Sequence, residues 1–124
     1  MIKVVAAIIR NNQNEIFIAQ RNQNKSQGGL WEFPGGKIEP NETENQAIIR
    51  EIKEELGIDI NADEVKLFKT YKYDDAFKDV FYIKKDIDIN SLTYEKDEVE
   101  YVKYLTKDKI LDLINNNGNI RKTN

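Results

Sequence analysis

Gly36-Lys37-Ile38-Glu39-Pro40-Asn41-Glu42 and, after seven further residues, Arg50-Glu51-Ile52-Lys53-Glu54-Glu55-Leu56-Gly57-Ile58 set a glycine loop ahead of an acid-rich helix. The helix is predicted over Thr43 to Leu56. Thr43 with Gln46 three residues on is a capping box, Glu44 suits the positive end of the helix dipole, and Gly57 can take the left-handed conformation that ends a helix. Ile48, Ile52 and Leu56 recur every four residues with Ile49 beside them, an apolar stripe that should face a core. Glu51, Glu54 and Glu55 stand at i, i+3 and i+4, so their carboxylates share a second face. Arg50 and Lys53 are expected on the remaining arc, which leaves the acidic ridge without interleaved bases. Carboxylates packed this way repel one another, and a cation is the natural remedy. Taken alone, the same run also reads as the solvated face of an ordinary amphipathic helix.

Outward from this helix the elements alternate between strand and turn. Ile2 to Arg10 is β-branched and almost continuously apolar, suiting a strand buried on both faces. Asn11-Asn12-Gln13-Asn14 reads as a turn into a second strand, Glu15 to Arg21, and Gly28-Gly29 lead to a short one, Leu30 to Phe33. Beyond the helix, Val65 to Tyr73 and Lys78 to Lys84 are predicted as a hairpin around Asp74-Asp75-Ala76. Glu100 to Leu105 follows as a strand, and Lys107 to Ile114 as a second helix capped by Thr106. The polar tail from Asn115 is expected to fray.

Composition narrows the chemistry. A chain of 124 residues is expected to form one domain, spanning 1–124, with a single core. With 19 basic and 22 acidic residues the formal charge is −3, so no broad basic field for nucleic acid is expected. Cysteine and histidine are both absent. That removes disulfides, thiol nucleophiles, histidine-based triads and histidine-rich zinc sites, and leaves carboxylates as the obvious catalytic groups. A chain without cysteine suits a reducing cytoplasm. No long apolar run or secretory leader is read, so neither a membrane span nor export is expected. Magnesium prefers oxygen ligands and is commonly held by a few carboxylates plus substrate phosphates, which makes Glu51, Glu54 and Glu55 candidate metal ligands.

The full spacing, from Gly36 through Glu42 and Arg50-Glu51 to Glu54-Glu55, Gly57 and Ile58, resembles the Nudix box over residues 36–58. Val4-Val5-Ala6-Ala7-Ile8-Ile9, Phe17-Ile18-Ala19-Gln20-Arg21 and Leu30-Trp31-Glu32-Phe33-Pro34-Gly35-Gly36-Lys37 further resemble the MutT-like branch, which includes oxidised-purine and CTP pyrophosphohydrolases. The resemblance is dense from Val4 to Ile60 and thins beyond. It implies an α/β fold, an α/β/α sandwich around a mixed sheet. It also implies magnesium-dependent hydrolysis, with manganese as a substitute, of a nucleoside triphosphate to monophosphate and pyrophosphate, in the service of nucleotide sanitation and DNA repair. The partner would be a small nucleotide, with no nucleic acid or membrane, and the chain a monomer or homodimer.

Residue by residue, the resemblance adds a backbone carbonyl at Gly35 to the metal ligands. It assigns Glu51 and Glu54 to catalysis. Gly36, Glu42, Arg50 and Gly57 become structural, Glu42 and Arg50 bracing the loop against the helix. Arg21 and Lys37 are matched to phosphate contacts, although an ion pair is an equal reading of Arg21. Glu98 is matched to an outlying metal ligand or general base, with Glu95, Asp97 and Glu100 as competitors in the same loop. Phe33 and the hairpin aromatics Tyr71, Tyr73 and Phe81 are candidates to stack on the base. Asn119 is matched to a base-reading residue, but Asn115-Asn116-Asn117-Gly118 replace the proline-containing motif that precedes it in that branch. Hydrolysis of ADP-ribose or dinucleoside polyphosphates, and a non-catalytic nucleotide-sensing module, remain alternatives.

Overall fold

In the computed structural model the described residues are 1–117, and they build one mixed sheet between two helices of unequal size. The strands are β1 (Ile2–Arg10), β2 (Glu15–Arg21), β3 (Trp31–Glu32), β4 (Gly35–Lys37), β5 (Lys66–Lys72), β6 (Ala76–Lys84) and β7 (Val99–Thr106). The helices are α1 (Glu44–Leu56) and α2 (Lys107–Asp112). β1 runs parallel to β6 along its whole length, from Ile2 opposite Ala76 to Arg10 opposite Lys84, while the other pairings are antiparallel.

The other edge of β1 is divided. Val4–Ala6 pair with β4, the Ala7 N–H donates to Pro34 O at 2.8 Å, and β2 reaches β1 only at Arg10 opposite Ile16. The segment carrying β3 and β4 is thus wedged between the diverging strands. Gly35–Lys37, expected as a glycine turn, is therefore a strand. Glycine is what permits it: a Cβ at Gly35 would lie 2.0 Å from Val5 O, so no larger residue can pair this closely with β1.

α1 covers one face. Ile48, Ile52 and Leu56 are fully buried against Val5, Ala7 and Ile9 of β1, Phe17 of β2, and Phe81 and Ile83 of β6. Each such side chain contributes about 1.5–3 kcal/mol of hydrophobic stabilisation. Thr43 Oγ1 accepts from Gln46 N at 3.1 Å and Gln46 Oε1 accepts from Thr43 N at 2.8 Å, closing the capping box. Gly57 ends the helix at φ 71°, ψ 17° and donates to Lys53 O at 2.9 Å.

On the opposite face α2 covers only the β2–β7 half, where Ile110 packs on Ile18, with Trp31, Phe33 and Leu113 around them. The α-helical geometry stops at Asp112, short of the Ile114 expected. Leu113–Asn117 opens into a wider π-type turn, in keeping with the poor helix propensity of three successive asparagines. Among the described residues no helix covers the β1–β6–β5 half of that face. β5 runs along its edge with every residue exposed.

Candidate active site

The wedged strand β4 passes directly beneath the acidic face of α1. A Cβ at Gly36 would lie 2.6 Å from the Glu51 carboxyl carbon, so a bare backbone is required for this approach. Glu55, one turn further on, accepts a hydrogen bond from the Gly35 N–H. Burial pushes the Glu55 carboxyl well above the usual carboxylate range, and the charges of Glu51 and Glu32 push it the same way, with only the Gly35 N–H opposing them. Glu54 lies on the outer side of the ridge, its side chain 60% exposed.

Arg50 departs from its expected place away from the ridge, because its long side chain folds back along it. Its Nη1 donates to Glu51 Oε1 at 2.8 Å and Glu54 Oε2 at 3.2 Å. Nε and Nη2 fork onto the two Glu42 oxygens at 2.7 and 2.9 Å, and Nη2 also reaches Lys37 O at 3.1 Å. Glu42 Oε1 in turn accepts from the Glu39 N–H at 2.9 Å. These bonds tie loop, strand and helix together. The guanidinium fork and the Glu39 N–H hold the Glu42 carboxyl down at about 2.

Glu32 is a member of this cluster that sequence reasoning did not single out. Its strand register, Glu32 opposite Ala19, is the signal that locates it, since it turns the carboxylate to the α1 face. Glu32 faces Arg21, whose Nη1 lies 3.4 Å from both of its oxygens, while Arg21 Nε donates to Ser26 O at 3.1 Å. Lys37 is exposed at the end of β4.

Glu98 sits one residue before β7, where Val99 pairs with Arg21. Its carboxylate is paired with Lys25, and its carbonyl accepts from Asn22 N at 3.2 Å. The Glu95 carbonyl accepts from both Glu98 N and Val99 N, so Glu95 and Glu98 share one turn.

Among the described residues no three acidic side chains already converge as a metal cage, since Arg50 lies between Glu51 and Glu54. The donor set nevertheless fits a divalent cation. Glu51 and Glu55 are hard oxygen donors pressed together beside a glycine backbone, and burial without a counter-charge is what drives Glu55 towards its protonated form.

A cavity of about 190 Å³ opens on the uncovered face of the sheet. Ala6, Ile8 and Val80 form its floor, and Phe33, Phe68, Tyr71 and Tyr73 its walls, with Lys78 at its margin. Phe33, Tyr71 and Tyr73 are thus brought together. Phe81 is not: strand alternation turns it into the α1 core, 1% exposed, so it cannot stack on a ligand. Asn119 lies outside the described residues.

Comparison with known proteins bears on what such a site does. The NUDIX domain family profile matches residues 2–123. The chain is 53% identical over 57 residues to the 8-oxo-dGTP diphosphatase of Proteus vulgaris, covering 46% of this chain and 51% of that one. It is 53% identical over 64 residues to the CTP pyrophosphohydrolase of Escherichia coli, covering 52% and 47%. The aligned stretch thus spans about half the length of these relatives. A solved MutT structure, from a study of the Aliivibrio salmonicida and Vibrio cholerae proteins, superimposes with a TM-score of 0.69 at 36% identity, covering 92% of this chain and 84% of that one. No helix among the described residues is long and apolar enough to cross a membrane.

Proposed function

The chain belongs to the Nudix family, and from that premise we propose that it hydrolyses a nucleoside triphosphate of MutT-like type, 8-oxo-dGTP or a pyrimidine nucleotide, to the monophosphate and pyrophosphate. The observation that carries this reading is the approach of two helix carboxylates to the glycine backbone of β4: Glu55 accepts from the Gly35 N–H, and a Cβ at Gly36 would lie 2.6 Å from the Glu51 carboxyl carbon.

Glu51, Glu54, Glu55 and the Gly35 carbonyl would hold Mg²⁺, with Mn²⁺ as a substitute and Glu98 as an outlying ligand. When bound, the metal neutralises phosphoryl charge and lowers the pKa of water. The rest falls to the chain. Arg50 and Glu42 keep β4 at a fixed distance from α1, so that the glycine backbone and the carboxylates present a preorganised surface. A carboxylate among Glu51, Glu54 and Glu98 takes the proton from the attacking water. The water oxygen bonds to one phosphorus of the α–β anhydride, the bridging P–O bond breaks, and the other half leaves with the bond's electrons, pyrophosphate when the α phosphorus is attacked and the monophosphate when the β phosphorus is. Lys37 contacts the phosphates from the end of β4, and Arg21 does so by exchanging part of its pairing with Glu32. Phe33 stacks on the base. The acting unit would be residues 1–124 with a small nucleotide partner in the cytoplasm, as a monomer or homodimer.

The test is pyrophosphate release from a panel of ordinary and oxidised deoxynucleotides, CTP and ADP-ribose with magnesium, beside Glu54→Gln. Monophosphate and pyrophosphate should appear with the wild type and fall by about 100-fold or more with the variant, the scale of losing a group that acts in the transition state. Tight nucleotide binding without turnover under any divalent metal would instead identify a sensing module.

A further inference from the structure

We propose that Glu32 is a positioning residue for the metal site: it holds the Arg21 guanidinium on β2 and so keeps Glu51 and Glu55 open to the divalent cation. The inference rests on the reading of the site as a metal-dependent hydrolase. Glu32 of β3 lies opposite Ala19, and Arg21, two residues along β2, alternates to the same face of the sheet. Arg21 Nη1 is 3.4 Å from both Glu32 oxygens, and Nε donates to Ser26 O at 3.1 Å. The pair is largely shielded from water, the side chains of Arg21 and Glu32 being 11% and 16% exposed. On its other side Glu32 neighbours the helix acids: its charge acts on Glu55, whereas Arg21 is not among the groups that do. In this chain of interactions Glu32 separates an arginine from the acids of α1.

Arg50 shows what a guanidinium does within reach of these acids. Its Nη1 enters between Glu51 and Glu54, at 2.8 and 3.2 Å, although Glu42 already holds two of its other nitrogens. A second arginine arriving from β2 would neutralise Glu55 and take the oxygens that a cation needs, because a buried carboxylate gains most from a charged donor. Arg21 is held loosely enough to turn, since 3.4 Å is long beside the roughly 2.7–2.9 Å of a charge-assisted bond. Both arginines of the site therefore have a glutamate of their own, Glu42 for Arg50 and Glu32 for Arg21. The looser pairing meets two demands. It keeps Arg21 off Glu55 in the free protein, and it yields to a phosphate when nucleotide binds.

The test is calorimetric titration of Mn²⁺ into the nucleotide-free wild type, Glu32→Gln, Arg21→Gln and the double variant, beside the Mg²⁺ dependence of kcat/KM. Glu32→Gln should weaken metal binding by about tenfold or more, the scale of one charge-assisted bond from Arg21 that the metal must displace. Adding Glu32→Gln to Arg21→Gln should cost about threefold or less, the effect of the lost charge alone, because no guanidinium is left to intrude. The kinetic loss in Glu32→Gln should shrink as Mg²⁺ is raised, since metal and Arg21 compete for the same oxygens. An equal loss of metal binding in both backgrounds overturns the proposal, and so does a kinetic loss that persists at every Mg²⁺ concentration, which would make Glu32 a structural anchor. Should Glu32→Gln fail to fold, Glu32→Asp, which keeps the charge and shortens the reach, enters the same cycle with the same outcomes. Metal binding that follows the expected pattern without hydrolysis of any nucleotide would support the role of Glu32 and overturn the hydrolase reading. Normal hydrolysis with an equal loss in both backgrounds would do the reverse.

Discussion

Arg50 holds Glu42 by two parallel bonds, Nε to Oε2 at 2.7 Å and Nη2 to Oε1 at 2.9 Å, and the same guanidinium reaches Glu51 and Glu54. One side chain therefore links the loop that carries the glycines to the acids of the helix. Lysine keeps the charge and loses the fork. Arg50→Lys should lower kcat/KM by about 10- to 100-fold through misplacement of the carboxylates, with a thermal midpoint only a few degrees lower. Steady-state kinetics with a thermal melt checks this, and wild-type kinetics in the variant would remove the bracing role.

The same pair predicts an acid limb in stability. Glu42 is held down to about 2 in the folded chain against an ordinary value of 4.5. Its contribution is complete above pH 4.5 and is lost as pH falls from there through about 2, because the unfolded chain takes up the proton first. Chemical denaturation from pH 6 to 2.5 should give a shallower acid loss in Glu42→Gln than in the wild type. Parallel profiles would contradict the depressed carboxyl.

Glu55 predicts the reverse slope. Its folded pKa is raised, so the native state binds the proton more tightly, and stability falls as pH rises from about 4.5 through the folded value. At pH 8 without divalent metal, Glu55→Gln should melt higher than the wild type by roughly 2–5 °C. Millimolar magnesium should raise the wild-type midpoint and move the variant's less. An equal magnesium response in both would rule Glu55 out as a ligand.

The two adjacent glycines should fail differently. A Cβ at Gly35 meets the Val5 backbone at 2.0 Å, and Gly35→Ala should therefore weaken the pairing of β1 with β4 and lower the thermal midpoint. A Cβ at Gly36 meets the Glu51 carboxylate at 2.6 Å, the end of a side chain that can swing away. Gly36→Ala should stay folded and lose about 10-fold or more in kcat/KM. Thermal melts and kinetics on both variants separate the outcomes, and the opposite pattern would reverse the assignment.

Local rules made α1 legible before folding: Thr43, Gln46 and Gly57 act within a turn of themselves, and the stripe of Ile48, Ile52 and Leu56 follows from helical period alone. β1 and β2 were legible for a similar reason, since runs of β-branched residues end at asparagine-rich turns. β4 was not, because two glycines carry no strand signal and only the divided edge of β1 makes a strand of them. Arg50 was misplaced on the helix wheel because a wheel records the direction of Cβ, whereas the arginine head lies several bonds away and follows charge.

What the sequence determined by itself is the spacing of Glu51, Glu54 and Glu55 on one helix, and with it the membership and the expected bond to be broken. Tertiary structure decided which groups join them. Glu32 reaches the cluster through the register of β3 with β2, Phe81 leaves the candidate base pocket through strand alternation, and Lys78 lines it on a stretch of β6 that no helix among the described residues covers. The physical reason is range. Capping and helical period act over a few bonds of one chain segment, whereas burial, register and the company of charges are set only when distant segments pack.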